Sequence, residues 1–415
     1  MDKMELEEGD PENHAFSFMS ERKDRNKRNC WLTYTNEKTH EIIRENIMRA
    51  PKYAGKIHGI GARYCPSIED KVVRFADKDR HQLFVEPEGL DTTEMYVQGM
   101  STSMPIDVQY AFLRTIPGFE DVKMMRPAYA IEYDLLDPLQ LYPTLEVIKL
   151  PGLYSAGQSN GTSGYEEAAA QGLVAGINAA LKIQGKDPFI LARHEAYIGS
   201  LVDDLVTKGA DEPYRMMTSR SEYRLILRQD NADLRLTEKG HSIGLVGEER
   251  YARFLDRKKK YEEAMDYIRT QRFTPKEEIN RALESMGTAP LTTGTGADQI
   301  LKRPEMTYWK MMEMLGCPAF DEEAVEEMEI TVKYEGYIAR QEAAVRKAAR
   351  MENEKLPLDM DYLSLDGIST EAKQKMDKIR PLSLGQAARI PGVSPADISV
   401  LMVYVKQRKG KKGAE

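Results

Sequence analysis

Cysteine is scarce in this chain: Cys30, Cys65 and Cys317 are an odd number with no C-x-x-C spacing, which argues against a disulfide framework and against a paired-thiolate zinc site. A thiol that matters here acts alone. The six histidines, His14, His40, His58, His81, His194 and His241, contain no i, i+4 pair, so no metal constellation is expected. Long apolar runs are missing, and nothing approaches a membrane span. Residues 1–10 are acidic where a signal peptide needs a positive and then an apolar stretch, so the cytoplasm is the expected compartment. Positive charge is in deficit. A net charge of -8 removes any blanket attraction to nucleic acid, and such a partner has to be held by a local basic surface.

What is present is a globular composition, 41% hydrophobic and 30% charged over 415 residues, long enough for two or three domains. The first 29 residues are polar and close on the basic run Arg22, Lys23, Arg25, Lys27, Arg28; with no apolar period they read as a loop or a severed piece of a larger domain. From Cys30 the texture turns α/β, with strands expected at 30–34, 82–85, 96–98, 129–133 and 145–148, a helix at 39–49, and another after Pro105, a residue suited to a first helical turn. Around 153–182 the order is strand, glycine-rich loop and helix. Beyond about Asp187 the pattern is mostly helical, with capping boxes expected at Ser219 to Glu222 and Ser383 to Gln386, which puts a boundary near 183–190.

Four motifs carry candidate chemistry. The loop 157–164 holds Gly157, Gly161 and Gly164 at a strand-to-helix turn, where backbone can approach a ligand and helix-start N–H groups face it. The helix after it is rich in small residues (Ala168, Ala169, Ala170, Gly172, Ala175, Gly176); an ordinary tight connection explains the loop equally well. Cys65 lies just before a short helix that Ser67 caps with Asp70 at its third position, between Arg63 and Lys71. That setting favours thiolate, and a buried structural cysteine is the plainer alternative. Gly59-x-Gly61 is only a partial dinucleotide fingerprint. Arg220, Arg224 and Arg228 recur every fourth residue, with Arg215 and Arg235 close by; on a helix they form a stripe able to grip phosphates, or a solvated face paired with Glu222 and Asp230. Residues 383–389, the turn Ile390-Pro391-Gly392-Val393, and 394–408 read as helix–turn–helix. The second helix carries Ile398, Val400, Leu401, Val403, Tyr404 and Val405, a face for a core or a protein partner rather than for bases. The tail Lys406, Arg408, Lys409, Lys411, Lys412 can add phosphate affinity, with a solvated tail as the default reading.

Taken together, Arg63-Tyr-Cys-Pro-Ser-Ile-Glu-Asp-Lys71, Glu86-Pro-Glu-Gly-Leu90, Ala130-Ile-Glu-Tyr-Asp134, Gly157-Gln-Ser-Asn-Gly-Thr-Ser-Gly164 with Tyr165-Glu-Glu-Ala-Ala-Ala-Gln-Gly172, Arg228-Gln-Asp-Asn-Ala-Asp-Leu-Arg-Leu-Thr237, Lys333-Tyr-Glu-Gly-Tyr-Ile-Ala-Arg-Gln341 and Gly392-Val-Ser-Pro-Ala-Asp-Ile-Ser399 resemble, in family order, the bacterial tRNA uridine 5-carboxymethylaminomethyl modification enzymes, also called glucose-inhibited division protein A or MnmG. The resemblance implies an FAD enzyme that uses NADH and a methylene-tetrahydrofolate carbon to build an aminomethyl-type group at C5 of a wobble uridine in tRNA. It implies a homodimer that forms a heterotetramer with the GTPase MnmE. By resemblance Cys65 matches one of two catalytic cysteines, useful because uracil C5 becomes nucleophilic after a nucleophile adds at C6. Gly157, Gln158, Asn160, Gly161, Thr162 and Gly164 match part of the FAD site. Gly61, Arg63, Tyr64, Glu69, Asp70, Lys71, Arg74 and Phe75 fall in a region assigned to NAD. Arg215, Arg220, Arg224 and Arg228 are the expected tRNA contacts.

The family also begins with a strand and a G-x-G-x-x-G loop for the FAD pyrophosphate; with neither in this sequence, an N-terminally truncated member is the expectation. Ala62, Ala128 and Ser159 depart from the usual proline, glycine and apolar residue. The expected fold is α/β, a partial FAD-binding flavoprotein domain with an inserted substrate/NAD region, followed by an all-α domain. Its parts are 1–29 (remnant of the FAD domain), 30–135 (substrate/NAD region), 136–186 (C-terminal part of the FAD domain) and 187–415 (helices for tRNA and GTPase). The rivals are a folate- and FAD-dependent tRNA uracil methyltransferase, disfavoured by the long helical region, and a non-catalytic fragment that only binds tRNA or protein.

Overall fold

The computed structural model describes residues 2–10, 15, 17–20, 28–57 and 66–412, with side chains as far as 407. It forms two compact units: Met1–Pro138, Tyr154–Leu173 and Ala210–Arg215 make the first, Leu139–Leu153, Val174–Gly209 and Met216–Glu415 the second.

The first unit is built on an antiparallel sheet in the order β1 (Glu5–Glu7), β2 (Cys30–Tyr34), β3 (Gln82–Pro87), β4 (Met95–Gln98). Trp31 opposes Val85 and Val85 opposes Val97, and the period of two sends Leu83 and Val85 into the core. There they meet Ile43 of α1 (Glu37–Glu45), Ile68 and Val72 of α2 (Ile68–Arg74), and Val108 and Phe112 of α3 (Ile106–Leu113). α1 starts two residues before the expected helix because Asn36 and Thr39 close a reciprocal capping box. A 3₁₀ turn, Ile47–Arg49, finishes the stretch. Ser67 caps α2 through the Asp70 N–H, and Pro105 precedes α3 as expected.

Residues 129–133 are not a strand. The run 129–136 is exposed throughout, held at one end by the Gln109 amide, which bonds both Ala128 N and Ala128 O at 2.9 Å, and at the other by Leu136 N on Ser159 O at 2.7 Å. Its alternating Tyr129, Ile131, Tyr133 and Leu135 have the pattern of a strand, but a strand is stabilised only by a neighbour, and none lies beside them among the described residues. The same applies to 145–148, where Val147 makes one isolated bridge to Leu141.

After the long helix α4 (Tyr165–Ile183) the chain is helical: α5 (Tyr197–Lys208), α6 (Ala232–Ser242), α7 (Glu248–Thr270), α8 (Glu277–Ser285), α9 (Ala297–Leu301), α10 (Tyr308–Leu315), α11 (Glu322–Asn353), α12 (Thr370–Ile379), α13 (Leu384–Arg389) and α14 (Pro395–Lys412), with a short ribbon of β5 (Arg272–Phe273) and β6 (Thr295–Gly296). Two apolar cores serve these helices. One joins α7 to α11 through Ile268, Ile300, Tyr308, Met311 and Met328. The other joins α12, α13 and α14 through Met376, Leu384, Ile398, Leu401 and Val405, so α14 spends its apolar face on packing. Ser383 caps α13 through Gln386 N, while Gln386 Oε1 reaches Leu382 N instead of completing a capping box. No helix is long and apolar enough to cross a membrane among the described residues.

Candidate functional site

The loop before α4 is a tight structure in its own right. Ala156 is extended, Gly157–Asn160 form a 3₁₀ turn, and Gly157 (φ +72°) and Gly161 (φ +70°) take the left-handed backbone that glycine tolerates. A Cβ on Gly157 would sit 3.2 Å from Ala168 Cβ, one on Gly161 3.2 Å from Ala210 Cβ, and one on Gly164 2.0 Å from Glu167 Oε2. Asn160 and Thr162 are fully buried. The Asn160 amide donates to Ser155 O and to Gln171 Oε1, both at 2.9 Å, while Gln171 Oε1 also takes Gly157 N at 2.9 Å. Asn160 and Thr162 therefore shape the loop from inside. Gln171 was missed in the sequence; a lone amide in a helix face of alanine and glycine is the signal that marks it.

What faces outward is narrower: half-buried Gln158, the first-turn backbone of α4, Tyr165 at 89% exposure, and the open positions Ala169, Gly172 and Leu173. No atom lies within 4 Å of a Cβ built on Gly172. Small residues beside a hydrogen-bonding edge suit a flat conjugated ring. A diphosphate is less well served, because α4 begins with Glu166 and Glu167, and Arg215, 3.1 Å from Glu167 Oε1, is already engaged.

Of the region matched to NAD, Gly61, Arg63, Tyr64 and Cys65 lie outside the described residues. Glu69 and Asp70 are buried: Glu69 Oε1 accepts Ser103 N and Oγ, and Asp70 is held by Lys52 at 2.7 Å and by the Tyr53 hydroxyl at 3.0 Å. Burial works to raise the Asp70 carboxyl, but the bonds from Lys52 and Tyr53 outweigh it and hold the group below its usual range. Burial, with the bond to Asp70, pushes Tyr53 up to about 12. Lys71 donates to Gly99 O. Val73, Arg74 and Phe75 are exposed at the end of α2, so of the residues matched to NAD this end offers a ligand the Arg74 and Phe75 side chains.

The arginine stripe is corrected. No helix and no capping box form at 219–222: a 3₁₀ turn, Thr218–Arg220, leads into an irregular run to Asn231. The cause is α11, whose Gln341 accepts from Leu225 N and Ile226 N and donates to Glu222 O, taking backbone groups a helix would use. Arg224 is exposed. The Arg220 carbonyl is bonded by Arg193. Arg228 is drawn inward, with Nη2 2.7 Å from Glu327 Oε1 and Nε 3.0 Å from Asp230 Oδ2. Arg215 falls in the first unit and the other three in the second.

A second charged centre was missed. Arg193, 7% exposed, meets Asp204 at 2.8 Å, Asp203 at 3.2 Å and Glu222 at 2.8 Å. Arg389 of α13 meets the same Asp203 at 2.7 Å and also Glu352. Nothing in the spacing of these residues marks them, because the partners lie on α5, α11, α13 and the irregular run at Glu222.

The fold is that of an α/β part with a glycine-loop-to-helix turn, continued by two helical modules. Family models for that layout match in order: glucose inhibited division protein A over residues 1–187, the MnmG/GidA C-terminal helical domain over 248–342 and the MnmG/GidA C-terminal helical bundle over 344–415. The chain is 55% identical over 412 residues to the tRNA uridine 5-carboxymethylaminomethyl modification enzyme MnmG of Caldicellulosiruptor saccharolyticus, and 56% identical over 409 residues to that of Enterococcus faecalis. These alignments take in 99% and 98% of the chain, and 66% and 65% of the relatives, so it spans just under two thirds of their length. The solved structure of Aquifex aeolicus GidA superposes with a TM-score of 0.84 at 45% identity, over 97% of this chain and 64% of that one. The chain belongs to the MnmG/GidA family.

Proposed function

We propose that this chain forms the tRNA-holding part, and one wall of the flavin site, of an FAD-dependent enzyme that modifies the wobble uridine of tRNA. The observation that carries this is the identity of 55% along 99% of the chain to a protein named as that modification enzyme. The loop 157–164 supports it: Gln158 and the start of α4 would hold the edge of the isoalloxazine ring, with Ala169 and Gly172 beneath it. FAD, when bound, supplies the redox chemistry by which a one-carbon unit from methylene-tetrahydrofolate is fixed on uridine with NADH as reductant. The chain's own residues keep the site in shape. Asn160 and Gln171 lock the loop, the Glu167–Arg215 pair ties the start of α4 to the segment at 214–215, and the Asp70–Lys52–Tyr53 group orients α2. Cys65 is proposed as the nucleophile toward uracil C6, and Arg74 with Phe75 as dinucleotide contacts. The helical region would take tRNA and the GTPase MnmE in a cytoplasmic assembly of two copies of each.

Binding of an unmodified tRNA transcript at several salt concentrations tests the reading. Arg224→Ala should lower the slope of log K against log salt by about 0.7 to 0.9, the loss of one phosphate contact. Arg228→Ala should lower the melting temperature and leave the slope alone, since that guanidinium serves Glu327 and Asp230. A chain that binds the transcript no better than an unrelated acidic protein overturns the reading.

A further inference from the structure

The outer half of α11 carries a surface that packing does not explain. Its N-terminal half is anchored by Val325, Met328 and Val332 and its end by Met351 on the α12–α14 core, but between Tyr334 and Lys347 only a narrow line, Ile338, Gln341 and Val345, is half-buried. The flank beside that line shows Tyr337 at 57% exposure, then Arg340, Ala344 and Lys347, all exposed. Spacings of three, four and three place these four on one helical stripe. Arg340 Cζ stands 5.6 Å from the Tyr337 ring centre, and the Tyr334 ring, 47% exposed, lies 6.3 Å from it.

Two features make this more than scattered surface. Gly336, Ala343 and Ala344 flank the ring and the guanidinium, and a Cβ built on Gly336 meets nothing within 4 Å, so a planar group can reach the tyrosine face without a bulky neighbour in its way. The local acids are spent elsewhere: Glu335 is paired with Lys302 at 2.6 Å and Glu342 faces Arg346 at 3.8 Å. Arg340 and Lys347 thus set the charge of the stripe. Gln341, one turn from Tyr337, grips the run 222–226 that carries exposed Arg224, so a third cation stands on the adjoining segment.

We propose that Tyr337, supported by Tyr334 and Arg340, is a stacking platform for an unpaired base of an RNA loop, with Arg224 and Lys347 taking the flanking phosphates. The proposal rests on the tRNA reading above and gives it a site. Exposed aromatic faces interleaved with cations are the arrangement by which single-stranded nucleic acid is held, since every base has a stacking face and the cations follow the backbone. An exposed Tyr–Arg pair also occurs in protein interfaces; the cationic balance of this stripe favours a polyanion.

The test uses the full chain and a stem–loop RNA with 2-aminopurine in its loop, whose fluorescence falls when the base stacks. Wild type and Tyr337→Phe should quench the probe and bind with similar affinity. Tyr337→Ala should abolish the quench and weaken binding about tenfold, the stacking of one base, while an unchanged melting temperature shows that the helix is intact. Lys347→Ala should flatten the salt dependence by roughly 0.7, the value for a single-strand contact. If Tyr337→Ala quenches as wild type does, or binds within twofold of it, the platform is refuted even though RNA binding persists. If Tyr337→Ala weakens capture of a protein partner and leaves RNA alone, the face belongs to protein. If wild type binds neither this stem–loop nor whole tRNA, platform and tRNA reading fall together.

Discussion

Arg228 stands between two carboxyl groups, and one cation cannot neutralise both. Asp230 is half-buried and keeps its charge, its carboxyl held low against burial by bonds from Glu327 and Arg228. Glu327 is 4% exposed; burial first, and Asp230 second, push it up to about 8. Glu327 therefore keeps its proton in the folded chain well above the ordinary glutamate range. Unfolded, it titrates near the ordinary glutamate value of about 4.3. Stability is unaffected by this group at low pH, where both states are protonated. It falls as pH rises from about 4.3 to about 8, where only the unfolded chain releases the proton. Glu327→Gln should remove this fall and leave the melting temperature flatter between pH 5 and 8; a slope equal to that of wild type would show that the proton is not held there. Cys317 gives a plainer case. It is 5% exposed, and burial raises its thiol against a smaller opposing bond from Tyr267. Iodoacetamide should label it only as the α7–α11 core unfolds, so labelling that keeps pace with a free thiol in the native chain would contradict the packing seen here.

At the scale of the element, the strands expected at 30–34, 82–85 and 96–98 form as β2, β3 and β4, while those expected at 129–133 and 145–148 and the helix after Ser219 do not. Ser67 and Ser383 mark starts that the structure keeps, because a cap is a local interaction of neighbours in the chain, and α3 and α4 start after Pro105 and at Tyr165 as expected. The alternation at 129–133 was read as a strand because it obeys the period, yet pairing is a property of two segments and one segment cannot reveal it. The run after Ser219 failed for the converse reason: its arginine period is helical, but Gln341, more than a hundred residues away, takes the backbone N–H groups of Leu225 and Ile226. A glycine inside α5 shows the same dependence on distant chain. A Cβ on Gly199 would come within 2.3 Å of Ala192 O and 2.6 Å of Leu191 O. Neither carbonyl is a flexible tip. Gly199→Ala should therefore destabilise, although alanine ordinarily favours a helix interior by about 1 kcal/mol; overpacking of this kind costs roughly 1 to 3 kcal/mol. Thermal melting decides it, and a raised midpoint would mean that the 191–195 turn yields.

At the scale of the whole molecule, the α/β-then-helical order and the loop before α4 were legible, since long matching words and a glycine turn survive as local sequence. The ion-pair centre around Arg193 and Arg389 was not, because it gathers Asp203, Glu222 and Glu352 from places that no spacing rule joins. The glycines of 157–164 are each accounted for by positive φ or by close packing on Ala168, Ala210 or Glu167. The helix start carries two glutamates, and Arg215 is engaged by one of them. The described residues thus offer a surface for the ring and little for the diphosphate. Three charge-assisted N–H contacts to phosphate, at about 1.5 kcal/mol or more each, amount to roughly a thousandfold in affinity, and a site without them should not tell FAD from riboflavin. Purified chain should accordingly be colourless near 450 nm, and titration with the two flavins should give dissociation constants within a few-fold of each other. An FAD affinity a hundredfold above that of riboflavin would place a phosphate pocket within these 415 residues and reverse the division of labour argued for the loop.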